Sequence, residues 1–100
     1  MNSFNERVYL FCRKIPKGKV STYKELAHAL GCKAYRAVGN AMNKNPYAPD
    51  VPCHRVVSAN GGIGGFASGT ENKIRMLKEE GIFVDGGKIV NFEKKLFKFN

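Results

Sequence analysis

Phe4, Val8, Phe11, Cys12 and Ile15 recur at the spacing of one helical face. Ser3-Phe4-Asn5-Glu6 reads as a capping box ahead of that stripe, and Pro16-Lys17-Gly18 stops it. Val20-Ser21 reads as a short extended link. Thr22-Tyr23-Lys24-Glu25 is a second capping box, and its helix turns Leu26, Ala27 and Leu30 inward before Gly31. After the turn Gly31-Cys32-Lys33, a third helix is predicted from about Ala34 to Asn43. Its inner face is Ala34, Ala37, Val38, Ala41 and Met42, and its outer side is Tyr35, Arg36, Asn40, Asn43 and Lys44. Two short helices around a tight glycine-containing turn make a helix-turn-helix candidate.

The second half alternates loops with short elements. Asn45 to Asp50 is a loop on turn-residue grounds. Val51-Pro52-Cys53-His54-Arg55-Val56-Val57 reads as a turn entering a short strand. Five glycines fall between Asn60 and Gly69, suited to a flexible hairpin or to a loop whose backbone approaches a ligand. Thr70 is expected to cap a further helix with Ile74 and Leu77 inward and Gly81 as its stop. Ile82-Phe83-Val84 and Lys88-Ile89-Val90 flank a turn at Asp85-Gly86-Gly87, a hairpin pattern. The tail from Phe92 to Asn100 is basic and aromatic. The expected fold is α+β and mainly helical: one small domain over residues 1–100, with a helix-turn-helix core and short β elements.

Composition narrows the function. The 100 residues are 43% apolar and 25% charged, which is globular rather than disordered. No run reaches the ~18 apolar residues of a membrane span, and Met1 opens no signal-peptide pattern. Lys plus Arg is 17 against 8 Asp plus Glu, a net charge of +9. The excess is concentrated: Arg7 to Arg55 holds ten basic residues and two acidic ones, Glu25 and Asp50. That asymmetry suits a polyanion, most often nucleic acid. A cytoplasmic, nucleoid-associated monomer is expected, with no membrane partner.

Three cysteines, Cys12, Cys32 and Cys53, form no C-x-x-C pair, and the histidines are only His28 and His54. Neither a disulfide framework nor a structural zinc site fits, so no metal is expected. Cys12 lies on the apolar stripe and reads as a small core residue. Cys53 stands between Pro52 and His54-Arg55, in a loop near the basic half. Positive charge or an imidazole base nearby favours the reactive thiolate. On an extended segment Cys53 and His54 would point opposite ways, so His54 need not touch Cys53 directly, and a bridging water could link them. A lone cysteine beside a histidine is otherwise an ordinary buried thiol.

Pro52-Cys53-His54-Arg55-Val56, followed by a glycine-rich loop and preceded by a helix-turn-helix ending in Asn45-Pro46, closely resembles the O6-alkylguanine-DNA alkyltransferases, or methylated-DNA–protein-cysteine methyltransferases. The resemblance runs from about Phe4 to Gly81, and Lys33-Ala34-Tyr35-Arg36-Ala37-Val38-Gly39 supports it independently. It implies a single-turnover transfer of an alkyl group from guanine O6 in double-stranded DNA to Cys53, with the base flipped out. It implies His54 as the base acting through a water, Glu80 as the carboxylate that orients it, and Asn45 as the support of the reactive turn. Tyr23, with Thr22 before it at the helix start, would contact and rotate the nucleotide. Arg36 would fill the gap in the stack, and the small residues Ala34, Ala37 and Gly39 would let that helix enter the minor groove. The backbone of Val56 and Ala67 would bind the flipped guanine, and Phe66 would line the pocket where the family has a tyrosine.

The length and the C-terminal hairpin also resemble the short alkyltransferase-like proteins, which bind alkylated DNA without the reactive cysteine. Here Cys53 is present. That favours a compact transferase, and the alternative is a non-catalytic damage-recognition protein that hands lesions to excision-repair proteins. A plain helix-turn-helix transcription factor is a third, and it would need neither the thiol nor the glycine-rich loop.

Overall fold

The computed structural model describes residues 3–48, 50–63 and 69–99. Both capping boxes form at their first half. The Ser3 hydroxyl accepts the Glu6 N–H at 3.2 Å and opens α1, Phe4–Cys12. The Thr22 hydroxyl accepts the Glu25 N–H at 3.0 Å and opens α2, Tyr23–Ala29. Each such cap satisfies a backbone donor that would otherwise lack an intrahelical partner and is worth ~1 kcal/mol. α1 buries Val8, Tyr9 and Cys12, with Phe4 and Phe11 half-buried at its margin. Tyr9 extends the predicted stripe. Its phenol can be buried because the hydroxyl donates to the Ala41 carbonyl at 2.9 Å.

Gly31 ends the α2 turn with φ +77°, the left-handed region a side chain disfavours. Then α3, Tyr35–Asn43, packs against α1 and α2 and completes the helix-turn-helix. Val38, Ala41 and Met42 are buried as expected, and the outer side of the helix is exposed. Ala34 departs from expectation. It is exposed, because it lies just before the first helical turn and so is not carried onto the inner face. Ala37 is half-buried.

Two short strands pair in parallel: β1, Ser21–Thr22, with β2, Val56–Val57, in the register Ser21–Val56 and Thr22–Val57. A parallel pair needs a long crossover, which here carries α2, α3 and the segment containing Cys53. Successive strand residues face opposite ways. Val56 therefore joins the core formed by α1, α2 and α3, while Val57 joins a second core with Val20, Ile63, Leu77, Ile82 and Ile89. Two residues of strand thus tie both cores together.

The predicted cap of α4, Thr70–Glu79, is corrected. Gly69 (φ +99°) precedes the helix, no side chain caps it, and Thr70 is its first residue. The hairpin forms with shorter strands than expected: β3, Val84–Asp85, pairs antiparallel with β4, Lys88–Ile89. Gly86 and Gly87, at φ +58° and +80°, make the two-residue turn that matches strand twist. The tail holds α5, Phe92–Lys95, and then runs alongside β1. There the Val20 N–H donates to the Lys95 carbonyl at 2.9 Å, and the Phe97 N–H to the Val20 carbonyl at 2.7 Å. Phe99 packs edge-on against Phe11, and Phe97 edge-on against Phe99. The architecture is mainly helical α+β.

Candidate active site

Cys53 does not lie on an extended segment. Cys53–Arg55 form one turn of 3-10 helix leading into β2. The Arg55 N–H donates to the Pro52 carbonyl at 2.9 Å, which closes the turn. At about three residues per turn, Cys53 and His54 diverge by ~120° instead of pointing in opposite directions. Both are buried, Cys53 at 8% exposure and His54 at 3%.

The Val51 carbonyl shapes this turn. It accepts the Cys53 N–H at 2.8 Å and the Asn45 Nδ2–H at 2.8 Å, while Asn45 Oδ1 accepts the Tyr47 N–H at 2.9 Å. One side chain therefore holds both ends of the loop that presents Cys53. Asn45 is the residue that the family resemblance implies as the support of this turn.

The structure also brings together His54 and Glu80. His54 Nε2 lies 3.1 Å from Glu80 Oε2, and the Glu80 side chain is only 11% exposed. Burial raises the Glu80 carboxyl, but hydrogen bonds from Arg55 and His54 outweigh it and hold the group below its ordinary value. An ionised carboxylate only accepts, so Nε2 carries the proton and Nδ1 is left as the basic nitrogen. Burial also lowers the His54 pKa, partly offset by Glu80, and the imidazole stays neutral at neutral pH.

Arg55 went unassigned in the sequence reading beyond its place in the signature. It donates Nε to Glu80 Oε1 at 2.9 Å and Nη2 to Glu80 Oε2 at 2.6 Å, and reaches the Ile15 carbonyl with Nη1 at 2.9 Å. This two-pronged clamp fixes the carboxylate in front of His54. Lys73 was missed altogether. It is 0% exposed, and its ammonium donates to the Val56 carbonyl at 2.7 Å. A lysine within a helical stripe reads as surface charge, so no sequence signal marked either role.

The other site residues fall at two depths. Tyr23 is half-buried against the first core, which also holds Cys53, and its phenol pKa is raised by burial and then by the Cys53 charge. Thr22 is buried with its hydroxyl engaged in the α2 cap, which makes it a helix-setting residue rather than a surface contact. Arg36 is exposed on the outer side of α3, Gly39 is half-buried, and Tyr35 beside Arg36 is hydrogen-bonded to His28 at 3.2 Å. Phe66 and Ala67 lie outside the described residues. Among the described residues, no group of three or more His, Cys, Asp or Glu side chains could hold a metal ion. No helix among them is long and apolar enough to cross a membrane.

The fold and this cluster define a class: a small helix-turn-helix domain organised around a buried cysteine. Residues 3–82 match the family model "6-O-methylguanine DNA methyltransferase, DNA binding domain", and the chain belongs to that family. A methylated-DNA–protein-cysteine methyltransferase of Metallosphaera sedula is 48% identical over 83 residues, covering 83% of this chain and 52% of that protein. The O6-methylguanine-DNA methyltransferase structure from Pyrococcus kodakaraensis superposes with a TM-score of 0.74 at 45% identity, covering 81% of this chain and 47% of that one. An S. pombe protein in complex with damaged DNA containing O6-carboxymethylguanine superposes with a TM-score of 0.79 at 33% identity, covering 98% of this chain and 99% of that one. The chain spans about half the length of the curated methyltransferase relatives it matches.

Proposed function

We propose that the chain repairs O6-alkylguanine in double-stranded DNA by moving the alkyl group onto its own Cys53, once per protein. The observation that carries this reading is the His54–Glu80 pair at 3.1 Å, built beside a buried cysteine in a chain of this family. The Cys53 proton passes through a water to His54 Nδ1. The sulfur attacks the alkyl carbon in line, the S–C bond forms as the C–O6 bond breaks, and the electron pair leaves with the purine. The purine takes up a proton to become guanine, and the thioether on Cys53 is stable, so there is no second turnover. Neither a metal nor an organic cofactor enters the step.

A base inside a duplex must leave the stack before its O6 can be reached. Arg36, exposed on α3, is suited to fill the vacancy, with the small residues Ala34, Ala37 and Gly39 allowing close approach in the minor groove. Tyr23 would face the flipped nucleotide, and the Val56 backbone its edge. The basic first half would hold phosphates.

Incubation with O6-methylguanine duplex should add one methyl group, located on Cys53 by peptide mass. Cys53→Ala should abolish the transfer and keep DNA binding. Methyl on Cys12 or Cys32, or repeated turnover, overturns the reading. One observation favours a second reading, a non-catalytic protein that flags lesions for excision repair: the end-to-end overlap with the S. pombe structure on damaged DNA. Under that reading the wild-type protein binds the lesion and gains no methyl group.

A further inference from the structure

The loop that leads into Cys53 is pinned to the body of the protein near both of its ends. Within the loop, the Tyr47 N–H donates to Asn45 Oδ1 at 2.9 Å, the Tyr47 carbonyl accepts the Val51 N–H at 3.1 Å, and the Val51 carbonyl accepts the Cys53 N–H at 2.8 Å. These bonds close the loop on itself. Val51, fully buried in the first core, pins its far end. The Tyr47 side chain reaches from the near end to α1. Its hydroxyl donates to Glu6 Oε1, 41 positions away, at 3.0 Å. The capping-box pattern would turn that carboxylate back on Ser3. The Tyr47 ring meets the buried Tyr9 ring edge-on with centroids 5.6 Å apart, and the Arg13 guanidinium lies 5.9 Å from its centroid. Glu6, Tyr9 and Arg13 share one face of α1 at i, i+3 and i+7, ending at its C-cap. Tyr9 is itself held by its bond to the Ala41 carbonyl.

We propose that Tyr47 is a positioning residue for the reaction at Cys53: it fastens the loop to α1 through Glu6, Tyr9 and Arg13, and so fixes where the sulfur stands against the helical core. The consequence for methyl transfer rests on Cys53 being the alkyl acceptor. An in-line displacement depends on the placement of the attacking atom, and a shift of about 1 Å can cost about 100-fold in rate. Tyr47 is 40% exposed, so it adds little buried apolar surface. What it supplies is placement. Its side chain makes three contacts on one helix face, and its carbonyl is joined to the Cys53 amide through Val51. The hydrogen bond to Glu6, and then the Glu6 charge, raise the phenol above its ordinary 10, so it stays a donor at neutral pH.

Amide hydrogen exchange and single-turnover transfer on the same proteins test this. In Tyr47→Ala the Val51 and Cys53 amides should exchange about tenfold faster, while the Leu30 amide, bonded at the end of α2, keeps its rate. Methyl transfer at saturating O6-methylguanine duplex should slow about tenfold, with the half-saturating DNA concentration unchanged. Tyr47→Phe keeps the ring and loses the Glu6 bond, so it should recover part of both effects. Glu6→Ala removes the same bond and leaves the loop sequence intact, so it should match Tyr47→Phe, and the two combined should lose no more than either alone. Wild-type exchange at Val51 and Cys53 in Tyr47→Ala, or a wild-type rate at saturation, overturns the proposal. Equal loss of protection at Leu30 makes Tyr47 merely structural and overturns it too. A raised half-saturating concentration with the wild-type maximal rate makes Tyr47 a DNA contact and does the same. If the wild-type protein takes up no methyl group, the repair reading fails, and amide exchange still decides whether Tyr47 holds the loop.

Discussion

His54 and Glu80 are 26 positions apart in the chain, and their side chains meet at 3.1 Å. The Glu80 carboxylate that accepts from His54 also accepts two bonds from Arg55, so its orientation is fixed from the opposite side. That arrangement defines which imidazole nitrogen can act as base.

If His54 and Glu80 act as a unit, His54→Ala slows methyl transfer by about 100-fold or more at neutral pH, and higher pH partly restores it. Glu80→Gln gives a smaller loss of the same kind, about tenfold, and the double mutant loses less than the product of the two. Single-turnover rates against pH for the four proteins decide this. Independent effects, or a wild-type profile in Glu80→Gln, reject the relay.

Asn45 holds the loop through the Val51 carbonyl, which also takes the Cys53 N–H. Asn45→Ala should lower stability by ~1–2 kcal/mol and slow transfer by more than that loss of folded protein accounts for. Thermal melts and single-turnover rates on the same samples separate the two effects. An unchanged rate per folded molecule shows that the turn keeps its shape without the amide.

Acid should destabilise the fold through the same pair. His54 has a folded pKa below its ordinary 6.5, so below that pH the unfolded chain binds more protons and stability falls. Glu80 has a folded pKa below its ordinary 4.5, so its contribution is present above 4.5 and is lost as pH drops through the folded value. Both act in the same direction. The melting temperature should fall on acidification from about 6.5 to below 4.5, and Glu80→Gln should flatten the lower part of that curve. Parallel curves for the two proteins would contradict it.

Arg36 stands exposed on α3, on the more basic half of the chain. Arg36→Ala should reduce transfer from duplex DNA more than from single strands, because only a duplex leaves a gap to fill. Binding should weaken with salt and depend little on sequence. Rates on matched duplex and single-stranded substrates test this, and equal losses on both remove the plug role.

The sequence alone determined the local elements. Ser3-to-Glu6 and Thr22-to-Glu25 start helices because a hydroxyl reaches the N–H three residues on, a contact needing no distant partner. Gly31 and the Gly86-Gly87 pair turn the chain because only positive φ fits there. The five-residue run from Pro52 to Val56 marked the candidate segment by residue type and order. Thr70 misled because a hydroxyl residue can sit in the first turn as well as cap it, and the backbone at Gly69 decides between them. The 3-10 turn at Cys53, closed by the Arg55 N–H on the Pro52 carbonyl, stands where an extended segment was expected. Tertiary structure alone decided the partners of the charges. Burial raises the cost of an unmatched ion, and Arg55 is matched by Glu80, 25 positions away. Such pairings join residues on separate elements, and neither periodicity nor composition carries their distances.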